Sequence, residues 1–424
     1  MWMTLDSINL ELTSKCNLSC KFCPLRDAIY RKKGIELDYA TFTSIIDQGV
    51  ELGLSRVYLF LFGEPLLCSW FEKGVNYCAK KGIQDIHVTT NGVLLNAKNS
   101  EVILRNVRSL TVSMTGATQE IYSKFQGHKS KVNLQKIESN ILEFIDLKNR
   151  RGHYVDFILS YILNSDSLPG WRNYYDKWIG VVDEIVFADL QVYNLSDFKL
   201  GDHNIRNCNE VIARNKLNFL SNGDVTLCCE DFNGELSPGS IHERSLEDIW
   251  DDLQVKKMKN NLLSLTYNQL PSVCRNCYMI CRYLNFITTS QVKSADRMLS
   301  YLDHYFPDAK IALYGANSVS AAMLYTPRFS EKIVAVADSY NIGRFIDRDV
   351  IQMEGLEQID YDILIVNHEN TGKNECLTKN ALFEKIKALD GKKDKLTIFH
   401  SSAGGTDLRG SDAMQMHRLV RDYN

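Results

Sequence analysis

The chain is predicted to be an α/β protein in three parts: a parallel sheet wound with helices, a small cysteine-rich module, and a second α/β domain. Three observations carry this. Six short apolar, β-branched runs alternate with stretches of helical periodicity through the first half of the sequence. Nine of the twelve cysteines fall into two clusters, Cys16, Cys20 and Cys23, then Cys208, Cys228, Cys229, Cys274, Cys277 and Cys281. Strand, turn and helix then alternate again from about residue 301. At 424 residues the chain is longer than one ordinary core serves, and the expected boundaries are 1–205, 206–300 and 301–424.

In chain order, "INLEL" (8–12) opens the sheet and the first cysteine loop follows it. The runs "RVYLFLF" (56–62), "DIHVTT" (85–90), "SLTVSM" (109–114), "VDFILSYIL" (155–163) and "EIVFAD" (184–189) supply five more strands. Between them, "DYATFTSIIDQGVELG" (38–53) and "LQKIESNILEFIDLKNR" (134–150) repeat apolar residues at helical spacing. Such alternation argues for a parallel sheet with its site at the carboxyl ends of the strands, where the cysteine loop sits. Farther on, Asn222-Gly223 between two β-rich runs is a hairpin signal.

A formal net charge of −3 gives no global attraction to nucleic acid or to an anionic membrane, so the expected partner is a small molecule. The opening "MWMTLDSINL" has no basic stretch ahead of an apolar one, and no run nears the roughly 18 apolar residues of a membrane span. The expected location is the cytoplasm. Twelve cysteines in such a chain point to metal or redox chemistry, because cytoplasmic thiols are kept reduced. Cys68, Cys78 and Cys376 stand apart and read as small apolar residues.

The motif "CNLSCKFC" (16–23) places three thiolates together with no histidine before His87. Thiolates suit zinc or iron–sulfur clusters, and a structural zinc would need a fourth ligand from a distance. A cubane cluster held by three cysteines keeps one iron open to a reactant.

The CxxxCxxC spacing, with the aromatic Phe22 before its last cysteine, resembles the radical S-adenosylmethionine (radical SAM) superfamily. The resemblance implies a partial (β/α)6 radical SAM barrel over 1–205. In it Cys16, Cys20 and Cys23 hold a 4Fe-4S cluster whose open iron chelates SAM, and Phe22 flanks the adenine. "FGEP" (62–65) resembles the GGEP motif, which implies that Gly63, Glu64 and Pro65 receive the methionine ammonium group. An ammonium has three donors and no acceptor, so carbonyl and carboxylate oxygens fit it. "TTNG" (89–92) and "SMTGATQEIYSKFQG" (113–127) resemble the stretches that approach the SAM ribose and carboxylate, implying Asn91 and Ser113 as contacts. The chain departs from the family with Met114 and Thr115 in place of an Ile-Asp pair, and with Gln126 where arginine is common.

The stretch from Cys208 through "CRNC" (274–277) resembles the SPASM/twitch module. By that resemblance Cys208, Cys228, Cys274 and Cys277 hold a second, auxiliary 4Fe-4S cluster, and Cys229 and Cys281 are left over. A zinc ribbon is the competing reading, since CxxC pairs beside a hairpin are also zinc signatures.

From residue 301, "AKIALYGANSVSAAML" (309–324), "KIVAVAD" (332–338), "YDILIVNHE" (361–369), a helical "NALFEKIKALDG" (380–391) and "KLTIFHS" (395–401) form a Rossmann-like βαβ pattern. The dinucleotide fingerprint is broken, because Ala316, Asn317 and Ser318 follow Gly315. The stretch resembles domains appended to sugar-modifying enzymes. A docking or oligomerisation domain is the alternative.

The family mechanism implies reductive cleavage of SAM and abstraction of a substrate hydrogen atom, with the electron from a reducing protein such as flavodoxin or ferredoxin. The expected substrate is a small hydroxylated molecule, sugar-like or a nucleotide sugar, undergoing oxidation or epimerisation with the auxiliary cluster's help. The competing substrate is a ribosomal peptide or protein. Maturases of that kind often carry an amino-terminal winged-helix domain, and a first strand at residue 8 leaves no room for one. A non-catalytic iron–sulfur scaffold or sensor would leave FGEP and TTNG without a purpose. Candidate catalytic residues are Tyr161, Asp189, Glu230, Asp231 and Cys229, at strand ends or beside the auxiliary cysteines.

Overall fold

A computed structural model describes residues 5–21, 23–26, 34–126, 132–152, 154–163, 166–189, 216–252, 274, 286–316, 318–338, 343–345, 348–368 and 396–401. The chain divides into two compact units, Met1–Arg282 and Tyr283–Asn424.

The first unit is built on β1 (Ser7–Leu10), β2 (Arg56–Leu59), β3 (Asp85–Thr90), β4 (Ser109–Ser113), β5 (Asp156–Leu163) and β6 (Glu184–Asp189). These six strands coincide with the six runs expected from the sequence, and each pairs in parallel with the next. Parallel neighbours need a crossover between them. Helices α1 (Tyr39–Glu51), α2 (Phe71–Lys80), α3 (Ala97–Asn106), α4 (Gln119–Gln126), α5 (Leu134–Arg151) and α6 (Trp171–Trp178) lie in the connections. Local chemistry sets their ends. Asp38 caps α1 by accepting the Thr41 N–H at 3.0 Å, Asn133 caps α5 by accepting the Gln135 N–H at 2.9 Å, and Gly152 ends α5 at φ 64°.

Strand parity divides the sheet into two faces. Ile8, Leu10, Val57, Leu59, Ile86, Leu110, Val112, Phe157 and Leu159 are buried on one face. That face lies under the helices: Phe157 meets Phe144 of α5 with ring centroids 5.3 Å apart. The opposite face carries Asn9, Tyr58, Thr89, Thr111, Ser113 and Ser160, and the alternation from β3 to β5 is half-buried on this side and buried on the other. An apolar exterior under helices and a polar, partly open concave side therefore follow from a period of two.

The sheet continues past β1 in a way the sequence did not disclose. The expectation placed residues 206–300 in a separate module, yet β7 (Lys216–Phe219) pairs in parallel with β1, with Asn9 opposite Asn218. β8 (Asp224–Thr226) and β9 (Gly239–Ser240) then add in antiparallel fashion, giving the order β6-β5-β4-β3-β2-β1-β7-β8-β9 within this unit. The expected hairpin joins β7 to β8. Gly223 sits at φ 84° and donates to the Leu220 carbonyl at 2.8 Å, while Asn222 donates from its side chain to Asp224 at 2.7 Å. α7 (Leu246–Asp251) follows, capped by Ser245, and the Leu246 amide donates to the Gln48 side chain of α1 at 2.8 Å.

The second unit contains β10 (Phe286–Thr288), α8 (Thr289–Tyr305) with a Thr288–Gln291 capping box, β11 (Ile311–Tyr314), α9 (Ser318–Tyr325) and α10 (Pro327–Ser330). β12 (Ile333–Ala337), β13 (Gly343–Phe345), β14 (Arg348–Ile351), β15 (Ile363–His368) and β16 (Leu396–Ser401) follow. The strand order is β13-β14-β12-β11-β15-β16, parallel except for the β13/β14 pair. The expected helix over 380–391 lies outside the described residues. Asp338, just past β12, accepts the Ala316 N–H at 2.9 Å. An acidic residue at this point of a dinucleotide fold would face a ribose. Here one of its oxygens accepts from the residue that follows Gly315.

Candidate metal centre and active site

The three amino-terminal cysteines follow β1 and are stitched to the ends of its neighbours. Glu64 N–H donates to the Lys15 carbonyl at 2.9 Å, joining the FGEP turn to the start of the cysteine loop. Gly63 is obligatory at this crossing: a Cβ there would stand 1.7 Å from the Thr13 carbonyl oxygen, and backbone cannot yield as a side-chain tip can. Pro65 begins a 3-10 turn (Pro65–Leu67) capped by Glu64, whose Oε1 accepts the Leu66 N–H at 3.2 Å.

Glu64 is the hub. Its Oε1 also accepts the Thr90 hydroxyl at 2.7 Å and its Oε2 accepts the Asn91 N–H at 2.8 Å. Three of the roughly four acceptor directions of the carboxylate are thus used within the protein, which leaves about one for a ligand donor. Complete burial pushes its pKa up to about 7, against the pull of those three donors. Asn91 carries the network to the cysteines: its side-chain NH2 donates to Asn17 Oδ1 at 2.7 Å and lies 3.8 Å from Cys16 Sγ.

Cys16, Cys20 and Cys23 are each half-buried, and none of them is in a disulfide. Burial raises all three thiol pKa values, Cys23 to about 12; neighbouring thiols add to the rise at Cys20 and Cys23, and the Glu64 carboxylate adds to it at Cys16. Thiolates crowded in this way need cationic metal to be stable, and loading releases their protons. Among the described residues no three His, Cys, Asp or Glu side chains converge as one metal ion would require. A zinc ion gathers its ligands about one point, whereas a cubane ties each thiolate to a separate iron. The loop, the backbone cradle at Gly63 and the single open acceptor direction of Glu64 fit a cluster with a chelating amino-acid ligand.

The remaining expected residues divide. Ser113 ends β4 opposite Ser160 of β5, half-buried on the concave side. Phe22, Cys208 and Cys277 lie outside the described residues, as does Cys281. Cys228 is buried beyond β8, where its Sγ accepts the Glu230 N–H at 3.4 Å; Cys229 is half-buried and Cys274 is buried. Asp189 closes β6 in register with Leu163.

Two expected catalytic residues are corrected. Tyr161 has the parity of Leu159 and Leu163, so it faces the helices. Its hydroxyl donates to the Ser167 carbonyl at 2.8 Å and its ring packs 4.5 Å from that of Tyr174 on α6. Asp231 accepts the Thr226 hydroxyl at 2.6 Å and the Glu235 and Leu236 amides at 2.8 Å each, which makes it the anchor of its own loop. Thr115, where the family carboxylate is absent, accepts the Ile162 N–H at 3.2 Å.

Other site residues went unnoticed in the sequence. Glu11, 1% exposed, accepts the Ser221 N–H at 2.8 Å and acts electrostatically on Cys23. Thr89, Thr111 and Ser160 join Ser113 on the concave side. Their signal was the parity of β3 to β5, which shows which face is polar only once the helices are seen on the other.

Fold and site together define an iron–sulfur protein with three protein thiolates at the carboxyl end of a parallel sheet. Residues 10–159 match the radical SAM superfamily profile and residues 208–278 the SPASM profile, an iron–sulfur cluster-binding domain. The chain thus carries a radical SAM domain and a SPASM domain, and the cofactors these domains imply are a 4Fe-4S cluster, SAM and an auxiliary cluster. It is similar to a GTP 3′,8-cyclase of Synechocystis sp., at 30% identity over 34% of this chain and 42% of the cyclase. Less than half of that relative is therefore spanned. It is also similar to an S-adenosyl-L-methionine-dependent 2-deoxy-scyllo-inosamine dehydrogenase of Niallia circulans, at 23% identity over 64% of this chain and 91% of the dehydrogenase. Among solved structures, Streptococcus suis SuiB bound to its precursor peptide SuiA shares the fold, with TM-score 0.50, 16% identity, and coverage of 65% of this chain and 71% of SuiB. Among the described residues no helix is long and apolar enough to cross a membrane.

Proposed function

We propose that the protein abstracts a hydrogen atom from a small hydroxylated, sugar-like molecule and oxidises or epimerises it. One observation carries the substrate class: beside the Cys16–Asn91–Glu64 network the concave face presents short hydroxyls, interspersed with Ile158 and Ile162. Thr89 lies opposite Thr111 and Ser113 opposite Ser160 in adjacent strands, all four half-buried. Short hydroxyls that both donate and accept suit a ligand that is itself hydroxylated. The similarity to the dehydrogenase, along most of that relative's length, supports this reading.

When bound, the clusters and SAM supply the hydrogen abstraction and electron transfer that the side chains cannot. Cys16, Cys20 and Cys23 hold the first cluster, and Asn91 orients Cys16. Gly63 keeps the FGEP backbone close, Pro65 fixes its turn, and Glu64 receives the ligand's ammonium group. Ser113 contributes one hydroxyl at the mouth, and Phe22 flanks the adenine. Cys208, Cys228, Cys274 and Cys277 hold the auxiliary cluster. Glu230, whose own amide is turned to Cys228, takes up the alcohol proton at its carboxylate, and Asp189, the last residue of β6, is the second candidate for that role. Cys229, half-buried and next to Cys228 in the chain, is the thiol that would return a hydrogen atom in an epimerisation. A reducing protein of the flavodoxin or ferredoxin type supplies the electron.

The test is hydrogen transfer. A metabolite extract from cells grown on deuterated carbon sources is separated by size and given to the reduced protein with unlabelled SAM. The small, polar fraction is expected to place deuterium in the deoxyadenosine product. Deuterium from the peptide fraction alone would move the assignment to a peptide substrate.

A further inference from the structure

The Tyr122 hydroxyl is shut off from solvent, with the residue only 1% exposed, and it has no hydrogen-bond partner among the described residues. A buried phenol ordinarily finds an acceptor, because an unmade bond leaves its desolvation uncompensated. The placement of the side chain indicates which acceptor is missing. Helix α4 is tied to the cysteine loop by the Lys21 N–H, which donates to the Phe125 carbonyl at 2.9 Å. Tyr122 lies three residues earlier and so shares the face of α4 that meets the loop. From the other side, the start of α4 lies flat on Gly116: a Cβ there would come within 2.7 Å of the Tyr122 Cα and backbone nitrogen. The helix is held at both points, and no shift of the side chain's base can carry the hydroxyl elsewhere.

The thiols acting electrostatically on the phenol are Cys20 first and Cys16 second. Burial, before either of them, raises its pKa, so the proton stays on the oxygen and the group is a donor. A donor within electrostatic reach of two cluster ligands, on a helix bonded to the loop that carries them and with no acceptor of its own, calls for sulfur.

We propose that the Tyr122 hydroxyl donates a hydrogen bond to a sulfur of the cluster held by Cys16, Cys20 and Cys23, and thereby raises that cluster's reduction potential. The proposal rests on the cysteine assignment and is independent of the substrate class. Reduction adds negative charge to the sulfurs, so a donor stabilises the reduced state more than the oxidised one. Within the motif the Leu18 N–H already reaches Cys16 Sγ at 3.5 Å; the Tyr122 donor comes from outside the motif, on the helix after β4.

Potentiometric titration followed by electron paramagnetic resonance, on the signal that disappears in the Cys16→Ala/Cys20→Ala/Cys23→Ala variant, reads the effect. Tyr122→Phe is expected to load as much iron as wild type. Its reduction equilibrium should shift about tenfold toward the oxidised form, about 59 mV more negative for a one-electron couple. The metal-free variant should unfold no more easily than wild type, since only an unpartnered hydroxyl is lost; a merely structural role would lower stability and leave the potential alone. Electron–nuclear double resonance of the reduced wild type should show a coupled proton that exchanges in D2O and is missing from the variant. If Tyr122→Phe fails to load, the wild-type spectrum decides, and the absence of any strongly coupled exchangeable proton overturns the proposal. A potential unchanged within threefold also overturns it and leaves the cysteine assignment standing. A wild-type protein that takes up no cluster overturns both.

Discussion

Glu64 shows how one residue serves both fold and site. Its carboxylate gathers Leu66, Thr90 and Asn91, and so binds two strand ends to the loop that carries Cys16. With a folded pKa near 7 against an ordinary 4.5, it binds its proton more tightly folded than unfolded. Its contribution to the metal-free protein is therefore complete below about pH 4.5 and is lost as pH rises toward 7, by about 3 kcal/mol. Half-buried His87, whose pKa is depressed chiefly by desolvation, works in the opposite sense, so the informative quantity is a difference. Urea unfolding at pH 5 and pH 8 should show a steeper fall for wild type than for Glu64→Gln, and parallel curves would remove Glu64 as the source. Gly63→Ala makes a separate prediction. With its new Cβ against the Thr13 carbonyl, it should lose about 1–3 kcal/mol and bind less iron per chain, as iron assay and thermal melting would show.

At the level of elements, the attachment of β7 to β1 brings the hairpin that leads to Cys228 against the strand that leads to the first cysteine loop. The Asn9 side-chain NH2 donates to Asn218 Oδ1 at 2.8 Å, and the Asn218 NH2 donates to the Thr226 carbonyl at 3.0 Å, so one buried pair links β1, β7 and β8. Asn218→Ala should cost about 1–3 kcal/mol by orphaning the Asn9 donor, measurable by urea unfolding. A cost near zero would mean that apolar contacts alone dock β7. The six parallel strands were legible because each is a compact β-branched run, and the hairpin was legible because Asn222-Gly223 dictates its turn. The β1/β7 pairing was not, since it joins residues 209 positions apart and no local pattern specifies a partner at that range. Glu11 and Asn9 were passed over for the same reason: polar residues in an apolar strand declare themselves only when the opposing strand is known.

For the molecule as a whole, the cysteine spacing and the three short motifs were readable because a metal cluster fixes its ligands along the chain. Asn91 and Glu64 were named from motif order, and the structure adds that they touch. Tyr161 and Asp231 misled because standing near a strand end or a cysteine does not say which way a side chain faces; parity and loop anchoring decide that. The two cysteine sets are proposed to have separate tasks, the first in SAM cleavage and the second in completing the substrate's oxidation. The most direct measurement is deoxyadenosine formation by the reduced, anaerobically reconstituted protein, compared across wild type, Cys16→Ala/Cys20→Ala/Cys23→Ala and Cys228→Ala. The account predicts cleavage by wild type, none by the triple variant, and cleavage without oxidised product by Cys228→Ala. Equal deoxyadenosine from wild type and the triple variant would contradict it.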